Sequence, residues 1–173
     1  MGSNQDYDLL QSVASTSGLR QGLTSYGDAH FSLFLRKVFI KALGYSENAL
    51  SRPIIGIINT YSGFNPCHGN AAQLMEAAKR GIHLAGGIAI DFPTISLHEG
   101  FSHPTSMFLR NLMSMDTEEM IRAQPVDACI MIGGEYDQSY CLQEMMLTWI
   151  KAAIRLSRLR LWAEYQQTNR CFL

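Results

Sequence analysis

The sequence predicts an α/β fold, a parallel-sheet core with flanking helices, and three observations carry that prediction. Three short runs, Pro53 to Asn59, Gly87 to Phe92 and Asp127 to Ile132, are mostly apolar and rich in isoleucine, as buried strands are. The stretches between them repeat apolar residues at three and four, the period of a helix. Each run also opens into a loop of polar, reactive residues: Cys67 and His68, then His98 and Glu99, then Glu135, Tyr136 and Asp137. Parallel strands alternating with helices deliver such residues to one edge of a sheet.

Composition narrows the field. At 173 residues, with 47% apolar and 17% charged side chains, the chain suits one folded domain with a real core. With 14 basic against 15 acidic side chains, the overall charge favours neither nucleic acid nor an acidic lipid surface. No run reaches the roughly 18 apolar residues of a membrane helix. The opening MGSNQDYDLLQS is polar and acidic, unlike a secretory or transit peptide, and Asp6 stands where a myristoylation signal wants Ser or Thr. Cys67, Cys129, Cys141 and Cys171 are widely spaced with no CxxC, which fits reduced thiols in the cytoplasm better than disulfides or a zinc knuckle.

In order along the chain, residues 1–26 read as a flexible N-terminal arm. A helix is expected from Asp28 to Leu43, striped by Phe31, Phe34, Leu35, Val38, Phe39 and Ala42 and stopped by Gly44. The stripe suits packing on the core, with pairing to another subunit as the alternative. After the strand PIIGIIN, Asn70 and Gln73 offer a capping box for a helix whose inner stripe is Leu74, Met75, Ala78, Ile82 and Ala85. Gly86 and Gly87 end it, and Pro93 stops the second strand by lacking an amide donor. A helix is expected to start near Pro104, and a second, short one at Asp116 with Glu119 as its box, ended by Pro125. The third strand follows.

Beyond Gly134 the pattern changes. Met146, Ile150, Ala153 and Ile154 can stripe a helix with Lys151, Arg155 and Arg158 largely off it, and then the residues alternate. A basic amphipathic segment of this kind can lie on a membrane or bind calmodulin. Only four basic against two acidic side chains in 142–164 make a solvated or poorly packed tail the better reading. The expected organisation is an arm over 1–26, an α/β domain over 27–134 and a divergent tail over 135–173.

Cys67 follows a proline in a Gly/Asn-rich turn just before a helix N-terminus. Amide donors and the helix field there favour a thiolate, as nucleophile or metal ligand, against the plainer reading of a buried inert thiol. Glu99, in a loop after the second strand, is either a surface carboxylate or a metal-binding or acid/base group. Gly133-Gly134 allows a ligand close to the backbone, but neither GxGxxG nor GxxxxGK[ST] is present. His68, His98 and His103 lack the HExxH spacing of a zinc protease.

From Ser17 to Gly134 the chain resembles the N-terminal part of the dihydroxy-acid and sugar-acid (aldonate or phosphogluconate) dehydratases. The resemblance rests on RPIIGIINTYSGFNPCH, AAQLMEAAKRGIHLAGG, FPTISLHE, PTSMFLRNLMSMDTEEMIRAQPVDA and the closing GG. It implies an incomplete N-terminal domain of a hydro-lyase that turns 2,3-dihydroxy carboxylic or sugar acids into 2-keto acids with an iron–sulfur cluster, [2Fe-2S] in the sugar-acid branch, and Mg²⁺. By the same resemblance Cys67 matches the first cluster cysteine and Glu99 the first Mg²⁺ carboxylate.

The sequence then departs from the family. Where the family places Cys, Asp and Lys after the double glycine, this chain has Glu135, Tyr136 and Asp137. The soft thiolate and the lysine that carries a carbamate are gone, and Cys141 is too far along to replace them without the loop folding back. The later cluster cysteine, seryl base and C-terminal domain of the family are also missing. The expected function is therefore that of a dehydratase fragment, as a truncated, mis-spliced or frame-shifted product or a short isoform would be. It is expected to be inactive alone and to bind neither cofactor stably. The alternative is a non-catalytic protein that pairs with the full-length enzyme. The small-molecule partner, a hydroxy acid, belongs to the intact relative.

Overall fold

A computed structural model of the chain describes residues 18–20 and 27–133. The expected tail, and all of the expected arm except residues 18–20, lie outside the described residues. Three strands form one parallel sheet: β1 (Ile54–Asn59), β2 (Ile88–Pro93) and β3 (Ala128–Ile132), in the order β2-β1-β3. Ile54 pairs with Ile88 and Ile58 with Phe92 on one side of β1; Gly56 pairs with Cys129 and Ile58 with Met131 on the other. The parallel pairing expected from the three apolar runs is what forms. A central strand is covered on both faces, which is why β1 reads as an unbroken apolar run instead of alternating. Ile54, Ile57 and Ile58 are all buried. At Gly56 a Cβ would meet the side chains of Phe92 and Val126 at 3.2 Å, so the strand's one small residue makes room for its neighbours.

Helices lie on both faces. The first, α1 (Ala29–Ala42), begins at Asp28, whose Oδ1 accepts from the Phe31 amide at 2.9 Å. Leu33 and Ile40 of α1 pack with Ile54 and Ile88 on one sheet face. The expected stripe is not the buried one: Phe34 is 60% and Phe39 62% exposed. Apolar residues occur almost all round this helix, so periodicity alone does not select the face that turns inward. Arg36, on the same side as Leu33 and Ile40, donates from Nη1 to the Leu19 carbonyl at 2.7 Å. Burial pushes its pKa down.

On the opposite face α2 (Ala71–Leu84) packs Ala71, Leu74, Met75, Ala78 and Ile82 against Ile55, Ile57, Ile130 and Ile132, much as expected. Its capping box does not form. Asn70 occupies the cap position at φ −107°, ψ 5°, and its side chain makes no capping hydrogen bond. An N-cap side chain reaches back over the first turn from an extended backbone, which Asn70 lacks. The two helices expected after Pro104 are one, α3 (Ser106–Ala123), capped by the Thr105 hydroxyl. Ser106, Arg110, Met113, Thr117 and Ile121 form a continuous buried row along it. With no Pro or Gly inside that row, the capping signal at Asp116 is overridden by packing. Met113 and Ile121 join Ile58, Phe92, Cys129 and Met131 on the sheet face that α1 also covers.

Residues 18–20, expected within a loose arm, instead form a turn fixed to the N-terminal edge of the sheet. Asp127 Oδ2 accepts from the Gly18 amide at 2.9 Å and from the Ile54 amide at 2.8 Å. Gly18 sits at φ +67°, and a Cβ there would lie 2.5 Å from the Arg52 carbonyl oxygen, so glycine is required on both counts. Between α1, α3 and the sheet lies a cavity of about 360 Å³, lined by Phe39, Leu43, Ile90, Phe92, Met120 and Val126 among others.

Candidate functional site

The neighbouring strands β1 and β2 send their outgoing chains to opposite faces of the sheet. The chain after β1 passes to α2 on one face, and the chain after β2 passes to α3 on the other. Diverging connections leave a crevice outside the C-terminal ends of the strands, where ligands of open parallel sheets gather. Two loops border it, 60–70 and 94–105. They carry Cys67 and Glu99, so the backbone sets both residues beyond the same edge of the sheet. Glu135, Tyr136 and Asp137 lie outside the described residues. The apolar cavity is elsewhere, under α1, and its lining does not suit a polyhydroxy acid.

Hydrogen bonds tie the crevice loops to the sheet and to each other. The buried Thr60 donates its hydroxyl to the Ile132 carbonyl at 2.7 Å, fastening the first loop to the end of β3. Asn59 Oδ1 accepts from the Tyr61 amide at 2.8 Å, and the Asn59 carbonyl accepts from the Thr94 amide at 3.0 Å, joining the two loops at their roots. Cys67 is the middle residue of a single 3-10 turn, Pro66–His68. Its neighbours Asn65 and His68 are both buried, with Asn65 Nδ2 and His68 Nε2 3.3 Å apart. The amide nitrogen can only donate, so Nε2 accepts. His68 thus faces inward and steadies the turn, a role its sequence pattern alone did not single out.

The second loop is tied to α3. Thr117 donates to the Met113 carbonyl at 2.7 Å, which leaves the Thr94 hydroxyl as donor in its 2.7 Å contact with Thr117. His98 Nδ1 accepts from the Gly100 amide at 3.1 Å, and its ring lies 4.8 Å from that of Phe101. Glu99 opens a 3-10 turn, Glu99–Phe101, and its side chain is 60% exposed. One carboxylate oxygen, Oε1, accepts from Ser106 Oγ at 3.1 Å and from Arg110 Nη1 at 3.4 Å. The Arg110 side chain is only 3% exposed. Ser106 and Arg110 are the site residues that sequence reasoning missed. Their signal was present: two polar side chains four apart, on the face of a helix that otherwise buries Met113 and Ile121.

Among the described residues no group of three or more His, Cys, Asp or Glu side chains comes together to hold a metal ion. The buried thiol of Cys129, in β3, is pushed up to about 11 by desolvation and stands in the core, away from the crevice. Among the described residues no helix is long and apolar enough to cross a membrane.

The family profile described as dihydroxy-acid/6-phosphogluconate dehydratase N-terminal matches residues 52–138, which holds the whole sheet and both crevice loops. The chain belongs to this dehydratase family. It is 42% identical over 102 residues to the L-arabonate dehydratase of Azospirillum brasilense, covering 58% of this chain and 18% of the relative. It is 37% identical over 110 residues to the L-arabinonate dehydratase of Rhizobium leguminosarum bv. trifolii, covering 63% and 19%. With the dihydroxy-acid dehydratase of Moorella thermoacetica it shares 37% identity over 98 residues, covering 54% and 18%. The matched stretch therefore spans about a fifth of the length of these dehydratases. The family link is to hydro-lyases, and the α/β unit with its small parallel sheet and flanking helices is the part this chain shares with them.

Proposed function

We propose that this chain is a dehydratase N-terminal unit with no hydro-lyase activity of its own, descended from enzymes that dehydrate sugar acids or 2,3-dihydroxy acids to 2-keto acids. The observation that carries this reading is the donor set at the crevice. The family resemblance asks Cys67 and Glu99 to be joined by a second thiolate, a further carboxylate and a carbamate-bearing lysine. Glu135, Tyr136 and Asp137 occupy those positions in the sequence. Glutamate is a hard oxygen ligand where a cluster needs sulfur, tyrosine has no anion to offer near neutral pH, and aspartate cannot carry a carbamate.

The local geometry supports the same reading. Glu99 already spends one oxygen on Ser106 and on the buried Arg110. A single exposed carboxylate so engaged does not retain Mg²⁺ against water, because the ion needs several oxygen ligands in octahedral array. The residues present do not fit the metal groups of the family, and Cys67 and Glu99 by themselves supply no elimination step. What they do is structural: Thr60, Thr94 and Thr117 tie the crevice loops to β3 and α3, and Arg110 neutralises Glu99.

The test is turnover. The chain is expressed without oxygen and supplied with iron, sulfide and Mg²⁺. It is then offered D-gluconate, L-arabinonate and a branched 2,3-dihydroxy acid, with 2-keto acid measured. No keto acid above the protein-free control is expected. Sustained formation of keto acid from any of the three contradicts the reading.

A further inference from the structure

The space under α1 is separate from the crevice. Between α1, α3 and the sheet it encloses about 360 Å³, within the range of sites that take small organic molecules. Packed interiors leave few voids larger than a water molecule, so a space of this size is more than packing slack. Its wall is apolar, with Ile40 from α1, Ile54 from β1, Ile90 and Phe92 from β2, Met120 from α3 and Val126 beyond it. Water there finds few hydrogen-bond partners, and an apolar guest gains by displacing it.

One charge interrupts the apolar lining. Among the described residues that line the cavity, Arg36 is the only ionisable one, and no carboxylate is present. Its Nη1 donates to the Leu19 carbonyl, a neutral acceptor, at 2.7 Å. Burial pushes the guanidinium's pKa down, so the charge is held there at a cost that a neighbouring anion offsets. Attraction of an anion needs the charge of Arg36 and no idle N–H, whichever acceptors its five donors serve.

We propose that this cavity binds an apolar monocarboxylic acid, with its chain among the isoleucines, Phe92 and Met120 and its carboxylate beside Arg36. Charge complementarity selects the acid over a neutral hydrocarbon, and the apolar wall selects it over a polar anion such as a sugar acid. A cavity of about 150 Å³ takes one benzene ring, so this space takes an acid of roughly ten to fourteen carbons. Met120, unbranched and flexible, can adapt to a bent chain.

The test is calorimetric titration of the full chain with decanoate at neutral pH, below its micellar concentration. Saturable binding of a single decanoate per chain is expected. Decanol, the same chain without the charge, and acetate, the charge without the chain, are each expected to bind about tenfold more weakly or worse. Arg36→Gln is expected to weaken decanoate binding by about tenfold and to leave decanol unchanged, and Arg36→Lys, which keeps the charge, to restore it. Met120→Trp, which fills the space, is expected to weaken both ligands. The wild-type titrations decide the matter if the variants fail to fold. No saturable uptake by the wild type, as when another part of the chain fills the space, overturns the proposal. So do equal affinities for decanoate and decanol, or many decanoates bound per chain with no effect of Met120→Trp.

Discussion

Replacing Glu99 by Gln separates two roles for the same carboxylate by the sign of its effect on stability. In this structure Glu99 is a counter-ion of Arg110, whose side chain is 3% exposed, at 3.4 Å. A hydrogen bond to a charged group contributes about 1.5–3 kcal/mol when both partners are buried. Glu99 is 60% exposed, so solvent screens the pair, and Gln keeps an oxygen for Ser106 and Arg110. The expected loss is therefore about 1 kcal/mol, or a melting point lower by roughly 4 °C. A carboxylate belonging to a metal cage behaves in the opposite way: without its ion it repels the other anions of the cage, and neutralising it stabilises the protein. The assay is a pair of thermal melts followed by circular dichroism, with and without millimolar Mg²⁺. A Glu99→Gln protein as stable as the wild type or more so would refute the counter-ion role. So would a Mg²⁺-dependent rise in the wild-type melting point that the variant loses.

Two further expectations concern the frame of the crevice. Asp127→Ala removes the acceptor of the Gly18 and Ile54 amides and is expected to cost about 3 kcal/mol in urea unfolding, with Asp127→Asn costing about half as much; equal stability of all three proteins would mean that the turn at 18–20 is not fastened there. The buried Cys129 thiol, pushed up to about 11 from 9.0, keeps its proton longer in the folded than in the unfolded chain. Its contribution is complete below pH 9 and is lost as pH rises toward 11, by up to about 2.5 kcal/mol. A Cys129→Ala protein is expected to lack that part of the alkaline slope, and a thiol reagent is expected to reach Cys129 only on unfolding; rapid native labelling would place the thiol outside the core.

The sheet was legible because its central strand is covered on both faces: an uninterrupted apolar run such as IIGIIN has few other uses in a folded domain. The edge that carries Cys67 and Glu99 was legible for the same reason, since each follows a run that ends in a turn signal. What misled was local chemistry overruled by packing. Asp116 and Glu119 satisfy a capping pattern, yet Met113, Thr117 and Ile121 continue one buried row past them. Asn70 has the right side chain for a cap in the wrong backbone conformation. In α1 the row Phe31, Phe34, Val38 is as regular as Leu33, Arg36, Ile40, and only the sheet decides which one turns inward. Arg110 was passed over despite its spacing from Ser106, because a charge on a helix reads as solvent-facing, whereas this one is buried beside Glu99.

The most direct measurement of the central claim is metal and sulfide content. The chain is reconstituted without oxygen, passed through gel filtration, and analysed for iron and acid-labile sulfide per polypeptide, with the visible spectrum recorded. A donor set of Cys67 without its partner ligands predicts iron and sulfide below about a tenth of an equivalent and a brown colour that is lost on the column. Two irons and two sulfides retained per chain, with the absorption of a [2Fe-2S] cluster, would contradict the account.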